Sequence, residues 1–155
     1  MSHENYQLLP ANNQQTEAIQ NVVFSVLREY GLEPGAIDFC LENIELNYFQ
    51  KGGHFYVLVD EHNTIVATGG LYAIDKDNAE IRKMYLLPEH RGQGLGKWIL
   101  TALIDKAKEL GFQRIELETA SVLKEAIGLY KKFGFQAFCP PHIAARCDQA
   151  YELRL

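Results

Sequence analysis

Residues 86–98 read LLPEHRGQGLGKW. A β-rich run, AEIRKMYLL at 79–87, leads into this stretch. An amphipathic run with Leu95, Trp98, Ile99, Ala102, Leu103, Ala107 and Leu110 leaves it, so Gly92, Gly94 and Gly96 lie at a strand-to-helix junction. Three designs hold phosphate at such junctions, and their spacings differ. A P-loop, GxxxxGK[ST], needs Gly at 91 and Ser or Thr at 98, where Arg91 and Trp98 stand. A dinucleotide fingerprint, GxGxxG, needs Gly at 97, where Lys97 stands, and would open a run of alternating strands and helices. The pattern that remains is R-x-x-G-x-G/A, from Arg91 to Gly96. Successive N–H groups turning into a helix N-terminus form a concave donor array, and glycine lets a diphosphate approach the backbone. For the hexapeptide alone, a glycine-rich turn that caps a helix is the competing reading.

Outward from the junction, NYQLL at 5–9 predicts an opening strand, and NNQQ at 12–15 supplies an Asn cap for a helix. Ile19, Val22, Val23, Val26, Leu27 and Tyr30 form that helix's apolar stripe, and Gly31 ends it. A second helix is predicted after EPGA, with Ile37, Leu41, Ile44 and Tyr48 on one face, ending at KGG (51–53). HFYVLVD and TIVATGGLYAI then predict strands joined by a hairpin at EHN, and AEIRKMYLL completes an antiparallel meander. After the glycine-junction helix, which stops at Gly111, come a strand QRIELET, a helix SVLKEAIGLYKKFGF with Ser121 as cap, and two strands near 135–139 and 149–155. The order is β-α-α-β-β-β-α-β-α-β-β, a mixed sheet with helices on both faces.

At 155 residues and 47% hydrophobic, the chain predicts one domain, 1–155, able to bury a core. Fifteen basic and twenty acidic residues give a net charge of −5, the wrong sign for general affinity to nucleic acid or an anionic membrane. The polar start MSHENYQLLP lacks the form of a signal peptide, and no run of 18 apolar residues occurs, so a cytoplasmic protein is expected. Cys40, Cys139 and Cys147 form no CxxC pair and are expected to be reduced and inert. The five histidines sit at no ligand spacing, so no metal is expected.

MYLLPEHRGQGLG (84–96) resembles motif A, and AIGLYKKFGF (126–135) motif B, of the GNAT superfamily of acetyl-CoA-dependent N-acetyltransferases, with the strand RIELET between them. The resemblance extends over nearly the whole chain. It implies an α/β (α+β) GNAT-like fold, a mixed and mostly antiparallel central sheet of 6–7 strands flanked by about four helices, with acetyl-CoA as co-substrate. In that family the strand before the glycines splays from the next one and receives the pantetheine arm. Met84 and Leu86 would then offer main-chain contacts to pantetheine and the acetyl group. Gly92, Gln93, Gly94, Leu95, Gly96 and Lys97 would surround the pyrophosphate, and Arg91 would add charge nearby.

The reaction implied is attack of an amine on a thioester. A lysine-like amine with a pKa of about 10.4 costs about 4–5 kcal/mol to deprotonate at neutral pH, so a base is useful. Glu80 occupies the place of the glutamate base of the histone-acetyltransferase branch; its bland reading is a surface ion pair with Arg82 on the same face of the strand. Glu118 is a second candidate with a structural alternative. Tyr130 matches the tyrosine that protonates the departing sulfur in many members, although its helical stripe with Ala126 and Phe133 also reads as core. A backbone N–H near Leu86 could serve as oxyanion donor. Many members carry an asparagine three residues before the alanine of motif B, where this chain has Leu123. His142 and Arg146 could recognise a carboxylate such as an amino acid's, against a default reading as a polar loop, and Asp38, Glu42 and Glu45 could attract a cation or be the polar side of a helix. The expected acceptor is the primary amine of a small molecule or amino acid, and a homodimer is expected from the resemblance alone. The competing class is a GNAT-like module that binds acyl-CoA as a sensor without turnover.

Overall fold

Seven strands follow from the predicted extended runs: β1 (Gln7–Pro10), β2 (His54–Val59), β3 (Ile65–Ala73), β4 (Asn78–Leu86), β5 (Arg114–Thr119), β6 (Gln136–Ala137) and β7 (Gln149–Arg154). Three α-helices accompany them, α1 (Thr16–Glu29), α2 (Leu95–Glu109) and α3 (Lys124–Lys132). The computed structural model describes residues 3–144 and 146–155, with the side chains of residues 36 and 37 outside the description; the predicted inward placement of Ile37 therefore lies outside the described residues. The strands form one sheet in the order β1-β2-β3-β4-β5-β7-β6, antiparallel throughout except for β4 beside β5.

A core lies on each face. On one, Ile19, Val23 and Leu27 of α1 pack with Leu41, Ile44 and Tyr48 against Phe55, Val57 and Val59 of β2. On the other, Leu95, Ile99, Leu100 and Leu103 of α2 and Ile127 and Tyr130 of α3 pack against Leu58, Leu71, Ile81 and Ile115. The central strands are thus buried on both sides, which is why β2 and β3 read as near-continuous apolar runs. The apolar stripe of α1 is buried as predicted from Ile19 to Leu27, and Tyr30 is the half-buried C-cap.

Two local expectations are corrected. The predicted second helix is a 3-10 helix over Ala36–Asn43 followed by a π-turn over Glu45–Phe49. At its break the N–H of Glu45 donates to the Asn13 side chain at 3.1 Å and that of Leu46 to the Asn43 side chain at 3.0 Å. Side-chain oxygens thus compete there with the helical carbonyls, and the regular ladder is lost. Ser121 does not cap α3, whose N-cap is Leu123. Both its N–H and its hydroxyl donate instead to the Asp148 carboxylate, at 2.8 and 2.7 Å, which ties the start of the helix connection to the segment before β7.

Candidate active site

The sheet opens at its one parallel contact. β4 and β5 pair only through Asn78↔Arg114, Ala79↔Ile115 and Glu80↔Glu116, after which β4 runs on to Leu86 beside β3 while β5 stays with β7. A cavity of about 500 Å³ fills the fork. Its lining includes Glu80, Arg82, Met84 and Leu86 of β4, Glu118 and Thr119 of β5, Gly92, Gly94, Leu95, Gly96 and Lys97 of the junction, and Tyr130 of α3. The structure therefore brings together every residue predicted for catalysis and cofactor binding except Gln93, whose amide turns to the Tyr6 hydroxyl and the His90 carbonyl, each at 3.4 Å; of the residues considered for acceptor recognition, Arg146 lines the cavity, and His142, Asp38, Glu42 and Glu45 are not in its lining.

At the junction, Gly92 and Gly94 adopt φ of 81° and 82°, the left-handed region that side chains avoid. Gly94 is the N-cap of α2, and no side chain caps the helix, so the N–H groups of its first turn lack intrahelical acceptors. The first turn carries no acidic residue and holds Lys97, a distribution unfavourable for an isolated helix dipole and suited to an anion. Gly96 is explained by neither strain nor crowding, since a Cβ there would meet only Leu129 Cδ2 at 3.7 Å. Arg91 is committed to the protein: Nε donates to the Leu86 carbonyl at 2.9 Å, and Nη1 and Nη2 donate to Glu29 at 2.7 and 2.8 Å. It clasps the end of α1 to the end of β4.

The edge of β4 is presented by its pairing. Leu87 N–H bonds to Val66 O at 3.0 Å, the wide hydrogen-bond pair that flanks Ala67↔Leu86, so the peptide groups of Leu86 point away from β3 toward the fork. Between Thr68 and Gly70 the register slips, and the extra residue on β4 is accommodated at Lys83, with φ of 58°. The Lys83 carbonyl accepts the Thr68 hydroxyl at 2.6 Å. This bulge returns Met84 and Leu86 to the α2 face beside Ile81. Lys83 itself is buried against the Asp38 carboxylate, which also receives Arg146 at 2.7 and 3.1 Å.

Electrostatics separate the charged groups. Glu80 is only 6% exposed, so its pairing with Arg82, Nε to Oε1 at 2.5 Å, is a buried contact rather than the surface pair that alternation suggested. Burial raises the Glu80 carboxyl above its ordinary value, Arg82 opposes, and Glu118 and Glu116 add to the rise. The Arg82 guanidinium lies 3.8 Å from the Tyr72 ring centroid. Burial, followed by Tyr85, raises the Tyr130 phenol, which keeps its proton. Burial would raise Asp38, but hydrogen bonds from Arg146 and Lys83 outweigh it and hold the carboxyl at about 2. Glu118 Oε1 accepts the Ala144 N–H at 2.6 Å. Lys83 and Tyr85 were not singled out from sequence, and Asp38 was named there only with Glu42 and Glu45 as a possible attractor of a cation; the adjacent Arg82 and Lys83 of β4 were the available signal for a bulge. Among the described residues no cluster of His, Cys, Asp and Glu is arranged to hold a metal, and no helix is long and apolar enough to cross a membrane.

The profile of the Acetyltransferase (GNAT) family matches residues 21–135. The uncharacterized N-acetyltransferase YjgM of Escherichia coli (strain K12) is 38% identical over 152 residues, covering 90% of each chain. A GNAT-family acetyltransferase of Staphylococcus aureus Mu50 superposes with a TM-score of 0.89 at 25% identity, covering 96% of this chain and 98% of its own. The fold is also that of yncA from Salmonella typhimurium, determined with its cofactor acetyl-CoA, at a TM-score of 0.75 and 20% identity over 97% of this chain and 94% of that one.

Proposed function

Because the chain belongs to the acetyltransferase (GNAT) family, we propose that it transfers the acetyl group of acetyl-CoA to the primary amine of a small molecule or amino acid, by direct attack in a ternary complex. The observation that carries this reading is the fork between β4 and β5, which joins an uncapped, acid-free first turn of α2 to a buried carboxyl and a buried phenol.

The residues present suit acetyl-CoA. The free N–H groups after Gly94 and the side-chain-free surface at Gly96 fit a pyrophosphate, and the outward peptide groups of Leu86, with Met84 beside them, fit a pantetheine amide arm. Bound there, acetyl-CoA supplies an activated thioester. Gln93 and Arg91 contribute differently from a direct phosphate contact: the first braces the loop against Tyr6 and His90, and the second fixes the Leu86 carbonyl.

Glu80 accepts the proton that the amine loses, directly or through one water, and its raised pKa brings it nearer the working pH than an exposed glutamate. The Leu86 N–H donates to the oxygen on which negative charge develops. Tyr130 gives its phenolic proton to the departing sulfur, a task for which a phenol held protonated by burial is suited. The test is thiol release from acetyl-CoA across a panel of amines and amino acids. Turnover with one or more acceptors is expected. Tight acetyl-CoA binding with no turnover across the panel would favour the sensor class instead.

A further inference from the structure

Besides Glu80, the cavity is lined by ionised groups that no step above uses, and they fall into two sets. At one end the Asp38 carboxylate is shared by Lys83 from the β4 bulge and Arg146 from the segment before β7. Two cations on one carboxylate leave a positive charge over, in a place where water screens it poorly. At the other end, Glu80 and Glu118 share the face of the fork closely enough that Glu118 opposes the ionisation of Glu80. Arg82 neutralises Glu80, and Glu118 has a backbone N–H for a partner, so the excess there is negative. Cys147 also lines the cavity: burial first raises its thiol to about 11, Glu118 and Glu80 push the same way, and Arg146 opposes them.

A cavity with this polarity complements a dipolar molecule. We propose that the acceptor carries a carboxylate beside its amine, as a free amino acid does, and that Arg146 is the specificity-determining residue that receives this carboxylate. The inference rests on the acetyltransferase reading and narrows its acceptor. In the bound arrangement the amine lies toward Glu80 and Glu118, the end from which Glu80 takes its proton, and the carboxylate lies toward Arg146. The guanidinium has five N–H donors. These outnumber the acceptors around it, which are the two Asp38 oxygens, the Glu33 carbonyl and the Tyr85 phenol, so donor capacity remains for a second carboxylate. The Lys83 side chain is only 1% exposed and acts from behind by its charge, while Asp38 is a positioning residue that fixes the two cations side by side.

The experiment follows thiol release from acetyl-CoA with amino acids, with their carboxamides, and with the amines that lack the carboxylate altogether. For the wild type, kcat/KM for the acids is expected to exceed that for the amides by about 10- to 100-fold, the range of one charge-assisted bond. Arg146→Gln is expected to bring the acid-to-amide ratio toward one through a higher KM for the acids, with Arg146→Lys restoring part of it. Calorimetric affinity for acetyl-CoA should be the same in all three proteins. Amides or simple amines used as well as the acids by the wild type would overturn the assignment while leaving acetyl transfer intact, and so would an acid-to-amide ratio untouched by Arg146→Gln. Bound acetyl-CoA with no thiol release from any acceptor would overturn the transfer reading and this assignment with it.

Discussion

Asp38→Asn removes one charge at nearly constant shape from the point where three parts of the chain meet: the 3-10 segment, the β4 bulge and the segment before β7. In the folded protein the carboxyl titrates at about 2, against 3.8 for an ordinary aspartate. A depressed folded-state pKa means stability that is fully present above the unfolded value and lost as pH falls through the folded one. For this gap the contribution is about 2 kcal/mol at neutral pH and about 1 kcal/mol at pH 3. Asn is a stand-in for the protonated acid, so the variant should lose at least the neutral-pH amount, because buried Lys83 and half-buried Arg146 are left without their anionic partner. The assay is urea unfolding of both proteins at pH 7 and pH 3. The expected result is a deficit of about 2 kcal/mol or more at pH 7 that shrinks at pH 3. A deficit that is the same at both pH values, or within about 0.5 kcal/mol of zero at pH 7, would refute the reasoning.

Tyr130→Phe keeps the ring packed beside Phe135 and removes the phenolic proton, so kcat should fall by about 10²-fold or more while the calorimetric affinity for acetyl-CoA stays within about twofold. For Glu80, the raised pKa places an acid limb in the pH profile of kcat/KM above the range of an exposed glutamate, with activity rising as the carboxyl deprotonates; Glu80→Gln should abolish that limb together with most of the rate at neutral pH. Gly70→Ala would set a Cβ 2.8 and 2.9 Å from Phe55 ring carbons and 2.9 Å from Tyr48, and should destabilise the protein by about 1–3 kcal/mol in urea unfolding.

The parts of the fold that could be read in the sequence are those set by neighbours along the chain. The stripe of α1, the meander and the glycine junction follow from local periodicity and spacing, and all appear where the sequence places them. The second helix did not follow, because its break is made by Asn13, some thirty residues earlier, whose side chain takes the Glu45 N–H. Ser121 looked like a cap because its hydroxyl precedes a helical stripe, and it is diverted by Asp148, 27 residues later. The glycine junction was legible because one loop and one helix turn form it. The ionised cluster of Asp38, Lys83 and Arg146 draws on three separated segments, and it depends on a one-residue bulge that turns Lys83 out of the α2 face. Alternation alone would have placed Lys83 among Ile81 and Ile99, and no local pattern reports the slip.

The glycine junction as a diphosphate site is tested most directly by acetyl-CoA calorimetry on the wild type, Gly94→Asn and Gly94→Asp. Gly94 sits at φ of 82° as the α2 N-cap, a conformation that asparagine tolerates better than most residues, whereas aspartate adds a like charge where phosphate would lie. One-to-one binding to the wild type, weakened binding to Gly94→Asn, and affinity reduced by about 100-fold or more in Gly94→Asp are expected of a diphosphate site there. A wild type that binds no acetyl-CoA, or a Gly94→Asp variant that binds it as tightly as the wild type, would contradict it.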